Sequence, residues 1–119
     1  MSILMGDLLT TIEQLNSTLD ESIDKFLQAG IALADAESDY SILLRQKALV
    51  EKDNGVSVTF IDKFLKGDTE IAEKRRIRDI AEAKRDTLQE KINALKLQIR
   101  IVEAQAEREW SARSSDYQG

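Results

Sequence analysis

The chain has no cysteine, no histidine and no proline among its 119 residues. Without cysteine it forms no disulfide and offers no thiolate as a nucleophile or metal ligand. Without histidine it lacks the commonest general base near neutral pH and the commonest metal ligand. Because it also has only five glycines, the backbone has few places to turn. These absences predict a helical protein that is not an enzyme and holds no metal or cofactor.

Long apolar runs are missing as well. No stretch approaches the roughly 20 consecutive apolar residues of a membrane-spanning helix. Charged residues make up 33% of the chain and aromatic residues 5%, a mix that suits long solvated helices. The net charge of −5 is uneven, since residues 1–53 have ten acidic and four basic side chains and the remainder has twelve and thirteen. We therefore expect a cytoplasmic protein, not bound to membranes, whose acidic first half faces a more basic second half.

Apolar and small residues alternate at intervals of three and four through the first part of the chain. One seven-residue series comprises Met5, Ile12, Leu19, Phe26, Leu33, Tyr40 and Lys47. The other comprises Leu8, Leu15, Ser22, Ala29, Ala36, Leu43 and Val50. Only Ser22 and Lys47 interrupt these apolar or small residues. The register predicts one long helix, about residues 7–53, whose stripe needs a partner helix. Asp7 can cap its start, and Gly55 can end it by adopting the left-handed conformation.

A short apolar segment and a second long helix follow. Residues 58–66 predict a connector helix, and Asp68 can cap a helix over about residues 69–111. The main stripe of that helix is Leu88, Ile92, Leu95, Ile99, Val102, Ala106 and Trp110. Residues 95–101 alternate like a strand, but good helix formers flank them without a turn residue, which favours helix. Trp110 should pack near Leu8 and Ile12, and residues 112–119 should form a flexible tail.

The second long helix has another apolar row besides its main stripe. The row predicts an oligomer interface formed by Ile80, Ala94, Leu97, Ile101 and Ala104. A helix that is apolar on two sides normally lies inside a bundle. We therefore predict an all-α fold: a long antiparallel, coiled-coil-like hairpin over residues 1–112 that self-associates into a helical bundle, as a dimer or a tetramer.

Three groups of side chains are candidates for binding. Phe60, Ile61, Phe64 and Leu65 of the connector can bind a partner protein, or can simply close the core of the hairpin. Lys74, Arg75, Arg76 and Arg78 can contact phosphates, or can form a solvated face paired with neighbouring acids. Asp20, Glu21, Asp24, Asp35, Glu37 and Asp39 can attract a cation or a basic partner, but a straight helix surface does not make their oxygens converge on a metal ion.

Two segments resemble a known group of proteins. They are VTFIDKFLKGDTEIAE, beginning at Val58, and LKLQIRIVEAQAEREW, ending at Trp110. Both resemble small coiled-coil accessory proteins, of unassigned role, from the early regions of phages and prophages of Gram-positive bacteria. The resemblance covers residues 58–110. It implies a phage accessory protein acting in the host cytoplasm, and it supplies no catalytic residues.

The sequence therefore predicts a non-enzymatic, oligomeric coiled-coil protein that binds a host or phage protein. The alternative is a nucleic-acid-binding accessory protein of phage recombination or replication, in which the basic residues of the second long helix contact the phosphates. The acidic overall balance does not favour this alternative.

Overall fold

The computed structural model describes residues 2–118 of the chain and the side chains of residues 5–114. It has three α-helices: α1 over Ser2–Asp53, α2 over Val58–Lys66 and α3 over Thr69–Gln118. The described chain is 95% helical and contains no strand, so the predicted all-α, hairpin-like fold is confirmed. Residues 95–101 are helical, as helix propensity predicted and the local alternation did not.

The helix ends differ from the sequence prediction at two places. α1 begins at Ser2, so Asp7 lies inside the helix and does not cap it. Gly6 does not stop the helix, because a glycine inside a helix costs only about 1 kcal/mol relative to alanine. α3 continues past residue 111 to Gln118, since no glycine or proline separates Trp110 from that point. The segment predicted as a flexible tail is thus helical through Gln118, and Gly119 lies outside the described residues.

The chain divides into two compact units, each made from segments of α1 and α3. Unit 1 comprises Met1–Phe26 and Thr87–Gly119, and unit 2 comprises Leu27–Asp86. The buried residues of unit 1 are Leu8, Ser22, Ile92, Leu95 and Ile99. Those of unit 2 are Leu33, Ala36, Ile61, Leu65 and Ile71. Each unit therefore has a core of its own.

The predicted register of α1 agrees with its buried side. From Met5 to Lys47, every residue of the two series is buried or half-buried. Ser22, the polar member, is 1% exposed, and its hydroxyl donates a hydrogen bond to the Thr18 carbonyl oxygen at 2.8 Å. The prediction for Val50 is wrong, because Val50 is 57% exposed. Near this end Ala48 instead packs towards the core that α2 completes.

The main stripe of α3 also lies on the buried side, with one exception. Ile92, Leu95 and Ile99 are buried, and the other members up to Ala106 are half-buried. Trp110 is 65% exposed, so its predicted packing near Leu8 and Ile12 is wrong. The seven-residue spacing that joins Leu95 to Val102 leads next to Glu109, which is half-buried. Trp110, one residue further along the helix, therefore lies outside the buried stripe.

α2 closes the core of unit 2. Its Ile61 and Leu65 join Ile71 of α3 in a buried cluster. Half-buried residues from α1 and the loop surround this cluster: Tyr40, Leu43, Leu44, Ala48 and Val56. Gly55 has a φ of +83°, the left-handed conformation predicted for the end of α1. The turn at Gly55 thus lets α2 fold back onto α1.

We expect Ile71→Ala to destabilise unit 2 strongly. Ile71 is 0% exposed, and truncating a buried isoleucine to alanine costs about 2–5 kcal/mol. Leu49→Ala, at a side chain that is 51% exposed, is the matched control and should cost less than about 1 kcal/mol. Urea unfolding followed by circular dichroism measures both. Equal losses for the two variants would contradict the position of this core.

Candidate interaction surfaces

Three charged side chains hold α1 to the start of α3 in unit 2. The Lys47 Nζ lies 2.6 Å from the Asp68 Oδ2 and 3.6 Å from the Glu70 Oε2. The other Asp68 oxygen, Oδ1, accepts a hydrogen bond from the Ile71 backbone N–H at 3.0 Å, so Asp68 caps α3 as predicted. Lys47 interrupts the apolar series of α1, and at this seam position it has a specific partner in Asp68.

This ion pair shifts the pKa values of both partners. The hydrogen bond from Lys47 and the bond from the Ile71 N–H lower the pKa of Asp68 below its ordinary value. The same pair raises the pKa of Lys47 above its ordinary value, against the opposing effect of desolvation. Both shifts favour the charged forms, so the pair favours the folded state at neutral pH.

Arginines of α3 stack on Tyr40 of α1. The guanidinium carbon of Arg78 lies 4.7 Å from the centre of the Tyr40 ring, and that of Arg75 lies 5.8 Å from it. Arg78 also pairs with Asp79 at 2.9 Å, and the hydrogen bond that Arg78 donates to this carboxylate raises the pKa of Arg78. An arginine over a tyrosine face gains from the ring quadrupole. These contacts place two of the four predicted nucleic-acid residues against the hairpin.

The other two residues of the basic stretch are also engaged or partly covered. Arg76 makes two hydrogen bonds to Glu73, at 2.9 and 3.1 Å, which lower the pKa of Glu73. Lys74 is half-buried. Lys74, Arg75 and Arg78 are thus half-buried, and Arg76 is the exposed member of the basic stretch. Counting back two heptads from Leu88 and Ile92 gives Lys74 and Arg78. The heptad spacing could therefore have predicted that both residues lie on the seam.

The apolar cluster of the connector is divided between core and surface. Ile61 and Leu65 are buried, which agrees with the reading that the cluster closes the hairpin core. Phe60 and Phe64, four residues apart, are each 64% exposed. Two exposed aromatic rings one helical turn apart form the outer side of α2, which we call the aromatic pair.

The predicted oligomer residues lie on the surface of α3. In unit 1, Leu97 and Ile101 are 54% and 55% exposed, and Ala94 and Ala104 are exposed as well. We call these four residues the outer row. Ile80, in unit 2, is 42% exposed. None of the five belongs to the buried seam of its own unit.

α1 also has exposed apolar side chains outside its two predicted apolar series. In unit 2 they are Leu27, Ile31, Ile42 and Leu49, and in unit 1 they are Leu9 and Ile23. They occupy positions outside the two series that form the seam. The four-residue spacing of Ile23, Leu27 and Ile31 was the available signal, because such spacing marks a second side of a helix.

One side of unit 2 has a shallow apolar groove between α1 and α3. Its volume is about 240 Å³, and its lining is almost entirely aliphatic. The lining residues are Ala29 and Ala32 from α1 and Ile77, Ile80, Ala81 and Lys84 from α3. Both lining residues of α1 are alanines, whereas all the large lining side chains are on α3.

The acidic side chains of α1 do not converge. Within the described residues, no group of three or more aspartates or glutamates is placed to hold a metal ion. Asp20, Glu21 and Asp24 are exposed, as are Asp35, Glu37 and Asp39. Nor is any described helix long and apolar enough to cross a membrane.

Comparisons of the chain with protein-family models, with curated proteins and with solved structures found no match.

The Asp68–Lys47 pair predicts a pH-dependent stability. Because the folded pKa of Asp68 is lowered, its contribution is present above the ordinary aspartate pKa of about 3.9 and is lost as the pH falls through the folded value. Asp68→Asn should therefore lower the Tm at pH 7, and its deficit should shrink as the pH falls below about 4. The exposed Asp62→Asn is the matched control. A deficit of constant size between pH 7 and pH 2 would contradict this account.

Proposed function

We propose that the protein is a non-enzymatic interaction protein that assembles with itself and presents helical surfaces to another protein. The observation that supports this proposal is the number of large apolar side chains that are exposed, compared with the number that are buried. Among the side chains that the structure describes, fifteen large apolar ones are exposed and eight are buried. Exposed apolar side chains that are neighbours on a helix surface, as Leu97 and Ile101 are, mark sites of association.

The outer row of α3 is the surface that we propose for self-association. Fully burying a leucine or isoleucine side chain stabilises by roughly 1.5–3 kcal/mol, and Leu97 and Ile101 each remain more than half exposed. A two-helix layer has little stability to forgo. A second copy that covers this row in a helical bundle, as a dimer or a tetramer, gains the free energy of burying these side chains.

The aromatic pair of α2 is the surface that we propose for a protein partner. Aromatic side chains dominate the energetics of protein interfaces, because they bury a large area at low conformational cost. Phe60 and Phe64 are exposed, while Ile61 and Leu65 anchor the same helix in the core. The buried residues give the aromatic pair a fixed support.

The basic stretch supports a protein partner more than a nucleic acid. Arg78 and Arg75 stack on Tyr40, and Arg76 is bonded to Glu73, so much of this positive charge is used within the chain. Nucleic-acid binding depends on basic side chains that can replace counterions at phosphates. Together with the resemblance of residues 58–110 to phage accessory proteins, this supports a cytoplasmic phage factor acting on a host or phage protein.

We expect Leu97→Glu combined with Ile101→Glu to dissociate the assembly. Two charges in the outer row would have to be desolvated on association, which costs several kcal/mol. Lys96→Glu changes the net charge by the same two units at an exposed residue on another side of the same helix, and should leave the assembly intact. Light scattering of both variants measures the mass. An unchanged mass for Leu97→Glu with Ile101→Glu would remove the outer row as the interface.

We also expect no salt-sensitive binding to single- or double-stranded DNA at physiological ionic strength. Fluorescence anisotropy of labelled oligonucleotides between about 50 and 200 mM salt tests this, because phosphate contacts lose affinity steeply over that range. Arg76→Glu, at a side chain that is 63% exposed, is the informative variant. Binding that weakens with salt and disappears in Arg76→Glu would support the nucleic-acid alternative instead.

A further inference from the structure

We propose that the groove of unit 2 binds the same groove of a second copy of this chain, with α1 of each copy lying on α3 of the other. The inference rests on the self-association proposed above, and it adds to the outer row of unit 1 a second contact surface, in unit 2, with a stated symmetry. Ala29 and Ala32 form one wall of the groove, and Ile77 and Ile80 form the other.

The sizes of the side chains favour this arrangement. The wall from α1 has alanines, whereas Ile77 and Ile80 on α3 are each 42% exposed. A second copy turned by 180° about an axis parallel to the helices brings its α3 over this α1. The isoleucines of each copy then meet the alanines of the other, so both walls are filled at once. Such a two-fold contact is self-complementary, as closed dimers require.

The charges at the two edges of the groove favour the same symmetry. Lys84 lines the groove on the α3 side. Asp35 and Asp39 follow Ala32 by three and seven residues, so they lie on the same side of α1. All three side chains are exposed, and within the described residues none of them takes part in an ion pair. The groove thus has an acidic edge and a basic edge, one on each helix.

Asp35 and Lys84, which lie on opposite edges of the groove, also lie at the same level along the helix axes of unit 2. The Lys47–Asp68 pair and the Arg78–Tyr40 stack fix how α1 and α3 run past each other. Continuing that antiparallel pairing at 1.5 Å per residue places Asp35 within about one helical turn of Lys84. Rotation about an axis parallel to the helices preserves height. Asp35 of each copy therefore comes near Lys84 of the other, and the pair occurs twice in the dimer.

Other occupants fit the groove less well. A two-fold axis across the helices would place α1 on α1 and bring acidic edge against acidic edge. A partner helix with charges of a single sign would be repelled by one of the two edges. A second copy in the proposed orientation pairs opposite charges at both edges and fills the space along both walls.

A charge-reversal cycle tests the proposal. Asp35→Lys and Lys84→Asp should each raise the dimer dissociation constant about tenfold, because each creates two like-charge contacts. The double variant, which exchanges the two charges, should restore dimerisation to near the original value. Glu37→Lys, an equal charge change at an exposed α1 residue on another side, is the control. Sedimentation equilibrium measures association, and circular dichroism verifies that each variant keeps its helix content.

Cross-linking tests the symmetry independently. Because the chain has no cysteine, single-cysteine variants report single positions. A short bis-maleimide cross-linker should join Ala32→Cys copies to Ile80→Cys copies in a mixture. Efficient cross-linking of Ala32→Cys to itself instead would overturn the proposed orientation.

The outcomes separate this inference from the proposed function. A monomeric unmodified chain would overturn both. A dimer that tolerates Asp35→Lys and Lys84→Asp, or that the double reversal fails to rescue, would overturn the groove contact alone. The proposed self-association would then remain, with the outer row as its surface.

Discussion

The single seam between α1 and α3 within each unit is the interaction on which the other features depend. Two helices in contact can bury only one stripe each, yet both helices have apolar side chains outside that stripe. Ile42 on α1 and Leu97 on α3 are each 54% exposed. The hairpin therefore has a thin core and a large unused apolar surface. This constraint is the physical reason why we interpret the chain as one part of a larger helical assembly.

The charged residues in the seam also determine how α1 is aligned with α3. Two heptad stripes can slide past each other by seven residues at little cost in apolar contact, so the apolar residues alone define the alignment weakly. Lys47 with Asp68, at 2.6 Å, and Arg78 over Tyr40, at 4.7 Å, each match one residue on α1 with one on α3. A slip would separate both pairs. We infer that these polar contacts fix how α1 and α3 align in unit 2.

Much of the fold could be predicted from the sequence because heptad spacing and turn residues are local signals. The seam of α1 from Met5 to Lys47 and the left-handed Gly55 follow directly from them. Trp110 was assigned wrongly because its four-residue spacing from Ala106 was taken to continue the stripe, whereas the seven-residue spacing leads to Glu109. The sequence prediction placed the outer ends of the two long helices inside the observed bounds, Ser2 and Gln118, because Asp7 was taken as a cap and the small polar residues after Trp110 as a tail.

The surfaces were less predictable, since exposure depends on which side the partner helix covers. The sequence grouped Phe60 with Ile61, but α2 buries one and exposes the other. The groove of unit 2 needs residues from both helices and has no signal in either alone.

Sedimentation equilibrium of the unmodified chain at micromolar concentration tests the central claim most directly. We expect a mass of at least twice the 13.4 kDa of a single chain, falling towards that value on dilution. A mass of 13.4 kDa throughout the concentration range would contradict the claim that the exposed apolar surfaces serve self-association.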